Sequence, residues 1–379
     1  KTKPISNGVN LAINWIQSFR VVAELIALAG VFVFLLQALQ SAYRQASILD
    51  EGLYLVKGFL FTSGRYIPFQ PDGPWTNQMP LSYLIPGAIQ LLFGTGLRTG
   101  RIFSVILGVL ILLGLWILSR RLAGRWWAAA TVLAAAINPA YWNGYSMAVS
   151  QVLVACILTW VLVLAIDENA PLWRLCLASL SAGLLLLVRV NMTPVLPLLL
   201  LYIFGQHGWK AGLWSSLTGG LAVLILHAIY WPGILQMWAS WIPASLTPFL
   251  DPWRIEDLGI AVWNPAIGWE DRLASLWDGV RFNFIPTLSL ALFGVLIFQR
   301  KYWTKIFYYR TTVLLSILSL VLVAAHAWAA LLKNYCVFCF AGYLEFFSPV
   351  MILIAALAFR AWRPGKTTAY ALYALLVIP

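Results

Sequence analysis

From position 21 the chain reads VVAELIALAGVFVFLLQALQ, an apolar run interrupted only by Glu24, Gln37 and Gln40, and then turns polar at SAYRQASILDEG. Further apolar cores fall at 102–118, 126–137, 152–166, 175–188, 195–204, 213–230, 284–298, 311–332, 343–359 and from 368 to the end. Crossing the hydrocarbon of a bilayer takes about 20 residues of apolar helix. Lipid gives a backbone polar group no partner beyond its own helix. The longer runs meet that demand directly, and the shorter ones meet it by extending into their flanks. The segment 81–93 is too short to span and is bracketed by Pro80, Pro86 and Gly94, so it reads as a helix lying at the membrane surface. The expectation is an all-α, polytopic integral membrane protein of about 11 transmembrane helices with outward juxtamembrane helices.

Composition agrees with this class. The chain is 61% hydrophobic and 10% charged, with a mean hydropathy of +0.83, which excludes an ordinary soluble domain. One membrane domain covering residues 1–379 is the simplest organisation. Its net charge of +12 is unevenly spread. With the N-terminus inside, the inner segments hold Arg120, Arg121, Arg125, Arg174, Lys210, Lys301, Lys305, Arg310 and other bases, against only Asp167 and Glu168. The outer segments balance their acids and bases. This is the positive-inside pattern, so the basic excess records topology in a plasma (inner) membrane and predicts no nucleic-acid partner.

Two outer segments are large: residues 41–101, with a surface-type helix, and residues 231–283, rich in Trp, Pro and Asp. The first carries Asp50-Glu51, an acidic pair beside a membrane interface. Such a pair suits a general base or a ligand for a divalent cation, with Asp50 as the candidate metal ligand. It also suits the N-terminal dipole of a short helix beginning near Gly52. Arg189, at the outer end of a span, has the guanidinium geometry for bidentate contact with a phosphate, or for simple snorkelling. Cys336 and Cys339 form a C-x-x-C in the last outer loop, where an oxidising compartment permits a disulfide. Cys156 and Cys176 fall inside spans as packing residues. His207, His227 and His326 lack ligand spacing. There is no P-loop, no dinucleotide fingerprint and no nucleophile elbow, so ATP-driven transport has no support.

Several of these features occur together in an order that resembles the GT-C membrane glycosyltransferases, among them the protein O-mannosyltransferases and the aminoarabinose transferases of lipid A. The matching pieces are Asp50-Glu51-Gly-Leu-Tyr54 after the first span and the segment from Trp75 to Pro80-Leu81-Ser-Tyr83. To these are added Asn138-Pro139 in the next outer loop and the stretch around Arg189 and Pro194. The resemblance covers roughly residues 20–205 in motif order and the remainder in topology. It implies a sugar transferase using a polyprenyl-phosphate-linked donor within the membrane lipid, acting at the outer face on a lipid, glycan or protein acceptor. Asp50 falls at the family's catalytic base, with Glu51 beside it. Tyr54, Asn77, Gln78, Tyr83, Gln151, Arg189 and Tyr343 fall at positions that bind donor or acceptor, and Arg189 meets the donor phosphate.

The chain departs from that family at three charged positions. Asn77-Gln78-Met79 precedes Pro80 where many relatives place His or Lys. Gln151 stands where they usually have an acid, and no Arg precedes Tyr343. These departures define the alternative: a catalytically inactive GT-C-like protein serving as a structural subunit of a membrane protein complex.

Overall fold

The structure is a computed structural model and describes residues 6–69, 79–242, 244–254, 267–296, 305–332 and 337–361. Among these residues every regular element is helical. The first span is α1 (Ser6–Arg44), and the acidic pair opens α2 (Leu49–Thr62), which packs against α3 (Pro80–Phe93). A long helix, α4 (Leu97–Ala123), turns back into α5 (Arg125–Ile137) through Gly124, whose φ of 97° is a conformation that side-chain-bearing residues rarely adopt. Next come α6 (Pro139–Gly144), α7 (Ser150–Ala165) and α8 (Leu172–Leu186), then α9 (Val195–His207) and α10 (Trp209–Ile229) on either side of Gly208. The second large segment between apolar runs contains α11 (Leu235–Trp241) and α12 (Trp269–Phe282). The chain then continues through α13 (Phe284–Leu296), α14 (Ile306–Ala327), α15 (Phe340–Leu344) and α16 (Ser348–Ala361).

Among the described residues four helices are individually long and apolar enough to cross a bilayer: Val21–Arg44, Leu97–Ala123, Trp209–Ile229 and Ile306–Leu331. A bent pair, Val337–Leu344 with Ser348–Ala358, broken by 51°, is long and apolar enough only when its two helices are taken together. Pro349 explains the break. It has no N–H to give the carbonyl four residues earlier, that of Glu345, and the Tyr145 hydroxyl donates to that oxygen instead, at 2.6 Å. The remaining apolar helices keep close to the lengths of the sequence runs and do not extend far into their flanks. α7, of 16 residues, stops at the loop after Ala165, and α8, of 15 residues, stops before the extended Arg189. The region from residue 362 onward lies outside the described residues, as do Asn77, Gln78 and Cys336.

The main core joins α1, α4, α5, α7, α8, α9, α14 and α16 around fully buried side chains such as Phe34, Leu115, Leu158, Leu315 and Met351. At one end the C-terminus of α7 is gripped by arginines: Arg121 donates to the carbonyls of Val163 and Ile166, and Arg174 to Val163 and Asp167. At the other end Phe69 and Met79 pack on Leu187, Ile234 and Met237, so the segment before α3 and the segment around α11 meet over the end of α8. The Leu81 N–H donates to Leu187 O at 3.0 Å, pinning the start of α3 beside Arg189. Trp238 Nε1 donates to His227 Nε2 at 2.9 Å and ties α11 to the end of α10.

Candidate active site

Asp50 and Glu51 both lie in the first turn of α2, as the dipole of a helix N-terminus favours, but the two carboxylates have opposite fates. Helical geometry turns Asp50 outward, where it is exposed, and Glu51 inward, where it is fully buried. Glu51 meets Arg101 of α4 in a two-pronged pair: Arg101 Nε donates to Oε1 at 2.8 Å and Nη2 to Oε2 at 2.7 Å. The backbone N–H of Ala148 donates to Oε1 at 2.8 Å and that of Ile48 to Oε2 at 3.3 Å. Burial pushes this carboxyl upward, but the Arg101 hydrogen bonds and the two backbone donors outweigh it and hold Glu51 below the usual carboxylate range. Arg101 also donates to the carbonyls of Ala42, Gln45 and Ala46, closing the end of α1. Glu51 is thereby committed to joining α1, α2, α4 and the loop before α7.

Asp50 belongs to a different constellation. One turn further along α2, the buried Tyr54 accepts hydrogen bonds from Arg189 Nη1 at 3.0 Å and from Ser150 Oγ at 3.1 Å; Arg189 Nη1 also reaches Ser150 Oγ at 3.0 Å. The Arg189 guanidinium sits over the Phe346 ring, 4.8 Å from its centroid, and 5.6 Å from that of Tyr343. Asp50 stands one helical turn before Tyr54 on α2, its carboxylate exposed. Tyr83 stacks against Tyr54 with centroids 5.3 Å apart. Four elements distant in sequence therefore place their polar groups together: the start of α2, the start of α7, the extended residue after α8, and the bend between α15 and α16.

Of the residues singled out from sequence, Tyr54, Tyr83, Arg189 and Tyr343 come together here, and Asp50 stands exposed one turn before Tyr54. Gln151 follows Ser150 and is half-buried. Met79 is fully buried in the apolar cluster with Leu187 and Ile234, a position at which a charge would be costly, so the departure before Pro80 has a packing reason. Ser150, Arg101 and His326 were not among the sequence candidates. His326 is fully buried against Tyr343, Phe346 and Phe347, and its Nδ1 bonds to Leu322 O at 2.7 Å. Nothing local marks Arg101, because its acid is fifty positions away. Ser150 had one available signal, its place beside Gln151. Cys339 is disulfide-bonded.

Glu51 is engaged by Arg101 and position 151 is an amide, and among the described residues no three His, Cys, Asp or Glu side chains gather as ligands of a divalent cation would. Arg189 brings positive charge to this site, and Lys57 is buried on α2 within a turn of Tyr54.

An all-helical membrane core with polar groups gathered at one end defines an integral membrane protein. Residues 72–231 match the family described as dolichyl-phosphate-mannose-protein mannosyltransferase. The fold is similar to the crystal structure of ArnT from Cupriavidus metallidurans bound to undecaprenyl phosphate, with a TM-score of 0.55 and 16% identity over 97% of this chain and 64% of that one. The apo state of the same ArnT gives the same score and identity, with 63% of that chain covered. The chain thus spans under two thirds of the length of the structures it matches. No curated protein matches its sequence.

Proposed function

We propose that this protein is a membrane glycosyltransferase that moves a sugar from a polyprenyl-phosphate donor to a lipid, glycan or protein acceptor at the outer face of the plasma (inner) membrane, with its N-terminus cytoplasmic. The observation that carries this reading is the placement of Arg189, oriented by Tyr54 and Ser150 over the Tyr343 ring, with Asp50 one turn before Tyr54 on α2. The Asp50 carboxylate takes the proton of the acceptor hydroxyl. The acceptor oxygen then bonds to the anomeric carbon as the bond from that carbon to the phosphate oxygen breaks, and the electron pair leaves with the polyprenyl phosphate. Arg189 stabilises the charge on that leaving group. The phosphate-linked lipid is supported by likeness to an ArnT that was bound to undecaprenyl phosphate.

The test is transfer by the purified, reconstituted protein supplied with polyprenyl-linked sugars. Loss of the base costs about 10²–10⁴-fold, so Asp50→Asn is expected to lose at least that lower factor. Arg189→Lys, which keeps the charge but not the planar fork, is expected to retain more activity than Arg189→Gln. Equal transfer by wild type and Asp50→Asn rejects the assignment. Met79 inside an apolar cluster and the neutral Gln151 favour the second reading, an inactive structural subunit. That reading expects no transfer from any polyprenyl donor, together with a stoichiometric membrane partner on gentle extraction.

A further inference from the structure

At the far end of α14 from His326, α9 and α14 diverge and leave a groove of about 270 Å3. Its walls are apolar, with Leu198 and Leu201 on α9 and Val313 and Ile317 on α14. Gly205 leaves part of the floor open: a Cβ added there would meet nothing within 4 Å. Arg310 stands at the mouth, roughly 24 Å along the helix axis from His326, and Ile317 lies about 10 Å deeper. Both helices face outward here, since Leu201 and Ile317 are exposed. Ile306–Leu331 is one of the spans, so the groove opens onto lipid in the leaflet opposite the candidate active site.

The charge at the mouth is uncompensated. Arg310 is half-buried, and its Nη1 donates to Gln206 Oε1 at 3.3 Å. The acids of the neighbouring loop are already engaged: Asp167 with Arg174 at 3.0 Å and Arg121 at 3.6 Å, and Glu168 with Lys305 at 3.0 Å. No ion pair among the described residues includes Arg310. A fixed cation above an apolar slot complements a negatively charged head on a hydrocarbon tail, and basic pockets between transmembrane helices bind anionic lipid head groups. A zwitterionic lipid offers its phosphate only together with a fixed cation that the guanidinium repels, so it answers the charge less well.

We propose that this groove binds one anionic glycerophospholipid, its phosphate on Arg310 and an acyl chain lying along Val313 and Ile317. The site is separate from the one proposed for sugar transfer and does not depend on that reading. Native mass spectrometry of the full chain in detergent, titrated with phosphatidylglycerol or phosphatidylcholine of identical acyl chains, tests it. Wild type is expected to retain one phosphatidylglycerol at about tenfold lower concentration than phosphatidylcholine, the gain of one charge-assisted contact. Arg310→Gln should erase that preference while leaving the weak binding of both. Gly205→Leu, which fills open space within a helix, should remove the retained adduct of either lipid. Equal retention of the two lipids by wild type overturns the proposal, as does a preference that survives Arg310→Gln or an adduct that survives Gly205→Leu. Displacement of the phosphatidylglycerol by equimolar undecaprenyl phosphate overturns the choice of occupant.

Discussion

Two adjacent carboxylates, Asp50 and Glu51, illustrate how little a residue type says about its task. Both are acids in one helical turn, yet one is exposed and the other is sealed against Arg101. Removing one partner of a buried pair leaves an uncompensated charge, at a typical cost of about 3–5 kcal/mol. Glu51→Gln is therefore expected to lower thermal stability strongly, because Arg101 loses its counter-charge while staying fixed by three carbonyls. The same pair predicts a pH dependence. The folded-state pKa of Glu51 lies below its unfolded value, so its contribution is fully present above the ordinary Glu pKa and is lost as pH falls through the lower, folded value. Melting followed by tryptophan fluorescence in detergent should show wild-type stability dropping through that acidic window. Glu51→Gln should show a flatter profile there, and identical slopes would contradict the argument.

Helix pairs decide whether these side chains can meet at all. Tyr54 and Tyr83 touch because α2 and α3 cross with almost no separation at Gly58 and Gly87. A Cβ on Gly58 would lie 2.5 Å from the carbonyl oxygen of Tyr83, a backbone atom that cannot swing aside. A Cβ on Gly87 would run into the Gly58 carbonyl in the same way. Gly58→Ala and Gly87→Ala should each cost roughly 1–3 kcal/mol by overpacking. Each should also lower transfer more than it lowers expression, because Tyr54 moves away from Arg189. An alanine at the solvent-facing Gly52, where an added Cβ meets nothing within 4 Å, is the control and should be neutral in both measurements. Unchanged melting and transfer in Gly87→Ala would show that the crossing is looser than the packing indicates.

The molecule as a whole is polarised along its long helices. One end carries Asp50, Arg189, Tyr343 and the disulfide-bonded Cys339; the other carries Arg121, Arg174, Asp167 and the Lys305–Glu168 pair. With the first end outward, cysteines introduced into a cysteine-free version at the exposed Ser47 and Asn169 should report opposite sides. A membrane-impermeant maleimide added to intact cells is expected to label Ser47→Cys and to spare Asn169→Cys until the membrane is opened. The reverse labelling would place the candidate site on the cytoplasmic side and remove the outward-facing reaction.

The order of apolar runs was enough to settle an all-helical membrane protein, because lipid leaves the backbone few choices and length and hydropathy are local properties. It also located Asp50, Tyr54, Tyr83, Arg189 and Tyr343 as candidates, through short motifs in a familiar order. What the linear chain did not contain was which carboxylate is free and which is spent. The partner of Glu51 lies fifty positions away, with nothing in the spacing to announce it. It likewise did not reveal Ser150 as the third corner of the Tyr54–Arg189 contact, the packing of Met79, or the break that Pro349 introduces into the last described helix pair. Those are matters of which helix ends are brought to one place, and they depend on contacts between residues far apart in the chain.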